Sequence, residues 1–188
     1  MDGKAKDVTT ALRMGPVKLV MGLLISPAAA MDVVKTALEE RFGRCDAVSK
    51  PYAFDVTNYY EPEMGETITR YILSFETLIP PEELRPIKLI TNEMENVWRD
   101  EAGRRLANID PGYIDFFKLV LASNKPSGKK LAAGDGVWLD LNLVYEKGKW
   151  QTMPWTFPDF ASGRYDDFLT KVRTAYKKQM RAMIDSKG

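Results

Sequence analysis

The run Val17-Lys18-Leu19-Val20-Met21-Gly22-Leu23-Leu24-Ile25 constrains the fold more than any other stretch of the chain. It is almost continuously apolar, and Gly15-Pro16 and Ser26-Pro27 bound it. It is too short to cross a bilayer and carries a lysine. A short run of this composition reads as a buried central strand, so the chain has to build a sheet around it.

The elements that follow supply that sheet. Ser26 before Pro27 is an N-cap followed by proline at the first helical position, and the helix runs to about Gly43. Met31, Val34, Leu38 and Phe42 form its inner face; Lys35, Glu39 and Glu40 lie outside. Residues 52–60 are aromatic and alternating, a strand. Glu61 to Gly65 make a loop, and 67–75 return as the second arm of a hairpin. Pro80-Pro81 opens a second helix, with Ile87, Ile90, Met94, Val97 and Trp98 at helical spacing and Gly103 at its end. Residues 105–109 read as a short strand that stops at Asp110-Pro111-Gly112, which is strong turn chemistry. Further strands are expected over 116–122 and 137–146, separated by a Gly-, Ser- and Lys-containing loop. Residues 153–160 form an irregular aromatic cover. A long helix is expected from about Ser162 to Ile184, with Tyr165, Phe168, Leu169, Val172, Tyr176, Met180 and Met183 as its stripe.

Residues 1–14 read as a flexible N-terminal tail and 15–188 as a single domain. The expected class is α+β. It has an antiparallel-rich mixed sheet with a ferredoxin-like β-α-β-β-α-β core, plus two further strands and a long C-terminal helix. The helices are expected mainly on one face.

Lys plus Arg is 27 and Asp plus Glu is 26, so no global field points to nucleic acid or to an anionic membrane. The first fourteen residues carry no apolar run and no stretch has membrane length, so a cytoplasmic location is expected. The single cysteine, Cys45, has no internal disulfide partner, and there is no histidine. Histidine-based triads and histidine-ligated metals are therefore excluded. A metal site would need oxygen ligands, which favours magnesium, calcium or manganese.

Six segments together resemble a bacterial and archaeal domain-of-unknown-function family, the one numbered 4416. They are Gly15-Pro16-Val17-Lys18-Leu19, Thr57-Asn58-Tyr59-Tyr60 with Glu63-Met64-Gly65, Ile87-Lys88-Leu89, Asn108-Ile109-Asp110-Pro111-Gly112-Tyr113, Lys118 to Ala122 through Lys125, and Trp155-Thr156-Phe157-Pro158-Asp159-Phe160. They span nearly the whole chain in order. The resemblance implies kinship and no particular activity. The chain has no Gly-x-x-x-x-Gly-Lys-Ser/Thr phosphate loop.

Polar residues collect at the strand ends and turns. Glu61, Glu63, Asp110 and Asp140 could converge on a hard cation such as Mg2+; alternatively Glu61 and Glu63 are a solvated turn and Asp110 bonds its own backbone. Asp140 shares a strand face with Trp138 and Asn142, which is either solvated or lines a pocket. Lys118 interrupts an apolar run and needs a carboxylate partner or a route to water. Lys125, Lys129 and Lys130 sit on a loop that could close over an anion or simply be solvated. Tyr59, Tyr60, Trp155 and Phe157 could form a stacking wall or ordinary packing.

The candidate ligand contacts are Arg105, Asn108, Asp110, Tyr113, Lys118, Lys125, Tyr60 and Trp138. The candidate metal ligands are Glu61, Glu63, Asp110 and Asp140. Two functions follow. One is a small-molecule-binding domain or enzyme acting on a phosphorylated or nucleotide-like anion with a divalent cation. The other is an interaction or assembly module using the 153–160 segment and the basic last helix. No nucleophile–base pair is visible, so whether the chain is an enzyme stays open, as does its oligomeric state.

Overall fold

The structure is a computed structural model describing residues 15–127 and 129–186. The expected N-terminal tail, residues 1–14, lies outside the described residues. The fold is α+β. Nine strands form one sheet in the order β2-β4-β1-β5-β6-β8-β7, with β3 also on β4 and β9 also on β8. They are β1 (Val17–Ile25), β2 (Cys45–Val48), β3 (Tyr52–Ala53), β4 (Thr69–Ile79), β5 (Ala107–Ile114), β6 (Lys118–Ser123), β7 (Leu131–Gly134), β8 (Val137–Glu146) and β9 (Lys149–Thr152). Every pairing among the described strands is antiparallel. The helices are α1 (Met31–Phe42), α2 (Glu61–Met64), α3 (Leu84–Val97), α4 (Pro158–Ala161) and α5 (Asp166–Asp185).

β1 is buried at every residue because β4 and β5 flank it and both of its faces are covered. Leu19, Met21, Leu23 and Ile25 pack toward Val34 and Leu38 of α1 and Ile87 of α3. Val20, on the other face, packs with Phe168, Leu169 and Val172 of α5. The helices are therefore split between the faces rather than gathered mainly on one: α1 and α3 cover one side, α5 the other. Lys18 is tolerated in this strand because its ammonium is bonded to Asp46 and, at 2.9 Å, to Gln179.

Three further sequence expectations are corrected. Residues 52–60 do not make a long strand. Only Tyr52 and Ala53 pair with β4, and after a last rung from Phe54 N–H to the Ile68 carbonyl the chain leaves the sheet. The edge is instead filled by β2, from residues with no strand signature. Glu61 to Gly65 is not a loop but contains α2, with Pro62 in its first turn.

The third correction matters most for the site. Asp110-Pro111-Gly112 is not a turn: β5 runs straight through it, with Gly22↔Asp110, Met21↔Pro111 and Val20↔Gly112 paired across β1. On its other side β5 pairs with β6 only from Gly112 to Ile114. Proline has no N–H to donate to a ladder. The β5–β6 ladder ends beside Pro111, and the two strands part.

Candidate functional site

The parting of β5 from β6 leaves the Ile109 backbone without a strand partner on that side, and α3 supplies one. Glu95 Oε1 accepts the Ile109 N–H at 2.8 Å, and Lys88 Nζ donates to the Ile109 carbonyl at 2.7 Å. Leu84, Lys88, Thr91 and Glu95 share one face of α3 at three- and four-residue spacing, and all are buried. The expected apolar stripe thus carries a polar line beside it, while Val97 points out to solvent.

Lys88 also lies 3.7 Å from Glu95 and 3.6 Å from Asp110. Arg105 pairs with Glu63, donates to Glu95 at 2.6 Å and donates to Asn108 Oδ1 at 3.2 Å. Asn108 in turn donates to Asp110 at 3.0 Å. Glu63 and Asp110 therefore sit on one side of the sheet, joined through Arg105 and Asn108.

Lys88, Arg105, Asn108 and Asp110 of this network floor a cavity of about 380 Å³. Arg70, Lys88, Arg105, Lys125 and Lys130 line it, with Asp110 and Asp159 as its acids. Phe54, Tyr59, Tyr60 and Phe157 supply aromatic walls. Phe54 and the segment that leaves the sheet after it carry three of those rings, packed edge to face: Phe54 to Tyr60 at 5.8 Å and Tyr59 to Tyr60 at 5.1 Å. Lys125 rests its ammonium 3.6 Å from the Tyr59 ring centroid, a cation–π contact at the rim.

Arg70 is the least satisfied group in the cavity. It is 5% exposed, and among the described residues its one ion pair is to Asp159 at 3.1 Å and its Nε has no partner. Its guanidinium stands against the Phe54 and Phe160 rings, at 5.2 and 5.8 Å. It reaches over Gly22, where a Cβ would come within 2.6 Å of Nη1. The missing side chain of Gly22 is what lets the guanidinium lie on the sheet.

Among the expected ligand contacts, Arg105, Asn108, Asp110, Lys125 and Tyr60 come together here. Three do not. Tyr113 is packed with Leu84, Val17 and Val120 on the α3 side of the sheet. Lys118 is paired with Asp115 inside the β5–β6 hairpin, so its carboxylate partner is local. Trp138 pairs with Ser123 and Ala132 in the ladders and stands outside the lining.

The four expected metal ligands do not gather in one cluster. Among the described residues no group of three or more acidic or cysteine side chains could hold an ion. Glu63 faces Arg105, Asp110 faces Lys88, Asp140 lies 4.0 Å from Lys130, and Glu61 is exposed on α2.

Arg70, Lys88, Glu95, Asp159 and Phe54 were not among the sequence candidates. The signal for Arg70 was present: it alternates with Ile68 and Ile72, so it shares a face with core residues, the same reasoning that singled out Lys118.

Burial shapes the titration of these groups. Desolvation raises the Glu95 carboxyl, with Lys88 opposing, and raises Asp140, with Lys130 opposing. It also lowers Lys130, against the pull of Asp140 and Asp110. An acid whose pKa is raised in the fold holds its proton there longer than in the unfolded chain. Its stability contribution is complete below the unfolded value, 3.8 for Asp140, and is lost as pH rises through the raised one. Among the described residues Asp140 Oδ1 has no partner. Because burial disfavours its charged form, Asp140→Asn is expected to stabilise the protein by roughly 1 kcal/mol at neutral pH, the size of a typical substitution. The gain should vanish in melts below the ordinary carboxylate range; a gain that is the same at every pH would refute this cause.

The family model for a domain of unknown function, DUF4416, matches residues 15–176. The chain belongs to the DUF4416 family. No curated protein and no solved structure matches it. The matched span contains every residue of the DUF4416 cavity named above. No helix among the described residues is long and apolar enough to cross a membrane.

Proposed function

We propose that the cavity binds a phosphorylated or nucleotide-like small molecule, with its anionic group on Arg70 and its planar part against the aromatic walls. The observation that carries this reading is Arg70: a nearly buried guanidinium with a donor left unpaired, laid over a glycine into a cavity. Buried donors are normally satisfied, and leaving one unmade costs about 1–3 kcal/mol. A planar guanidinium fork suits phosphate or carboxylate oxygens better than a lysine does. Lys88 and Lys125 add positive charge around the same space, and the size lies in the range of small-molecule sites. Magnesium belongs to this reading as an ion carried on ligand phosphates, with Asp110 as the cavity carboxylate that would meet it.

The interaction-module reading has less behind it. Trp155 donates its indole N–H to the Leu141 carbonyl at 3.0 Å, and Phe157 packs against the core and lines the cavity. Those rings are engaged in the chain's own fold.

A thermal-shift panel of nucleotides, sugar phosphates and phosphorylated metabolites, with and without magnesium, tests the proposal. A ligand at a hundred times its Kd adds about 2.7 kcal/mol, a shift of several degrees. Magnesium dependence that disappears in Asp110→Asn supports the ion; an ion-independent hit removes it from the reading. No shift with any anion in the panel would count against the site.

A further inference from the structure

We propose that Ser123 and Lys130 form a nucleophile–base pair in this cavity, and that the protein cleaves an ester of a small anionic acid through an acyl-serine intermediate. The chain contains no histidine, so a serine nucleophile needs another base. A lysine brought out of water is the usual alternative.

Lys130 Nζ lies 3.0 Å from Ser123 Oγ, and both residues line the cavity. The lysine side chain is only 8% exposed and stands over the Phe157 ring at 5.4 Å. Its charged neighbours are Asp140, at 4.0 Å and beyond hydrogen-bonding distance, Asp110, and the like charge of Lys125. The net effect of burial and these neighbours is to push the amine below the ordinary lysine value.

The local bonds suit a neutral amine. Lys130 Nζ donates to the Lys125 carbonyl at 3.1 Å, which leaves its lone pair for the Ser123 hydroxyl proton. The Lys125 backbone N–H donates to Ser123 Oγ at 3.1 Å and fixes the hydroxyl. The edge between β6 and the following loop thus presents an oriented serine to a space lined by cations.

In the reaction, Ser123 Oγ attacks the ester carbonyl carbon as its proton passes to Lys130 Nζ. The C–O bond to the alcohol breaks, and the alcohol leaves with the proton from Lys130. Water then adds to the acyl-serine, giving its proton to Lys130. The Oγ–C bond breaks, Oγ takes that proton back, and the carboxylic acid is released. Lys88 and Lys125 supply the positive field in which the oxyanion develops. The anionic character of the substrate rests on the binding reading above; the serine–lysine pair does not.

An uncharged alkyl fluorophosphonate separates the two. Ser123 Oγ would bond to phosphorus, with loss of fluoride, in the intact protein. Mass spectrometry should find one adduct, on Ser123, absent from Ser123→Ala. The labelling rate should rise with pH to a midpoint below that of an ordinary lysine. It should fall about 100-fold or more in Lys130→Met, the usual scale for losing a general base. Lys130→Arg keeps the positive charge, cannot act as a base and should be equally slow at an unchanged Tm. No adduct on Ser123, or an undiminished rate in Lys130→Arg, would overturn the pair. Turnover of a half-ester of a dicarboxylic acid in preference to its uncharged analogue supports the anionic substrate. Equal turnover of both would leave the pair standing and refute the anion preference.

Discussion

Gly112→Ala is expected to destabilise the protein by about 3 kcal/mol, the upper range for a group forced into a closed space. A Cβ at this position would lie 2.4 Å from the Val120 carbonyl oxygen and 2.6 Å from Leu121 Cδ2. The first of these is backbone in the adjacent strand and cannot rotate away. Relief requires β5 and β6 to separate where they are still paired, Gly112↔Leu121 and Tyr113↔Val120. Replacing glycine by alanine ordinarily stabilises through the unfolded chain by about 0.4–1 kcal/mol. The clash outweighs that gain. A domain has only about 5–15 kcal/mol in total, so the urea midpoint should drop visibly with little change in slope. The same variant should weaken ligand binding, because the junction it opens is where Lys88 and Asp110 are placed. A loss below about 0.5 kcal/mol, the scale of ordinary surface changes, would mean that the strands already tolerate a wider gap.

The same junction explains what was legible in the sequence and what was not. β1 was legible because nine successive residues obey one rule, burial on both faces. α1, α3 and α5 were legible because their inner residues repeat with the helical period. Asp110-Pro111-Gly112 was misread because the local chemistry of a turn and that of a ladder's end are the same. Proline removes a donor and glycine allows close approach in either setting, and only the partner strands decide which applies. The length of β4 and the existence of β2 were hidden for a related reason. An edge strand is recruited by the open side of its neighbour more than by its own composition.

At the site, the residues near the Asp110 segment were found because they are close in sequence. Lys88 and Asp159 were missed because they come from distant elements and meet only through the fold, whereas Arg70 was marked by its alternation with Ile68 and Ile72. The cation–carboxylate pairing of Glu63, Asp110 and Asp140 also could not be foreseen, since each partner lies on another element. It turned an expected acidic cluster into a network of opposite charges.

Arg70→Met is expected to abolish the ligand-induced shift and to cost about 3–5 kcal/mol in stability, because it strands a buried carboxylate. Asp159 is 2% exposed, and without Arg70 its side chain keeps, among the described residues, only the Tyr165 hydroxyl, donated at 3.2 Å. Two effects are mixed in that variant, and a second substitution parts them. Arg70→Met with Asp159→Asn removes both charges, and replacing a whole buried pair is often close to neutral. The double variant should therefore recover most of the lost stability while the ligand shift stays absent. Arg70→Lys should keep the fold and lose most of the shift, since an ammonium cannot offer the planar fork. Gly22→Ala approaches the same point from the other side. Its Cβ would meet Arg70 Nη1 at 2.6 Å, the free end of a long side chain. The guanidinium can move aside, so stability should change by no more than about 1 kcal/mol, the size of a typical substitution. Moving it aside takes it off the sheet and out of register with an anion in the cavity, so binding should fall although no ligand contact has been deleted. If the double variant kept the full ligand shift, the anion would be held elsewhere, and Arg70 would be no more than the partner that makes a buried Asp159 tolerable.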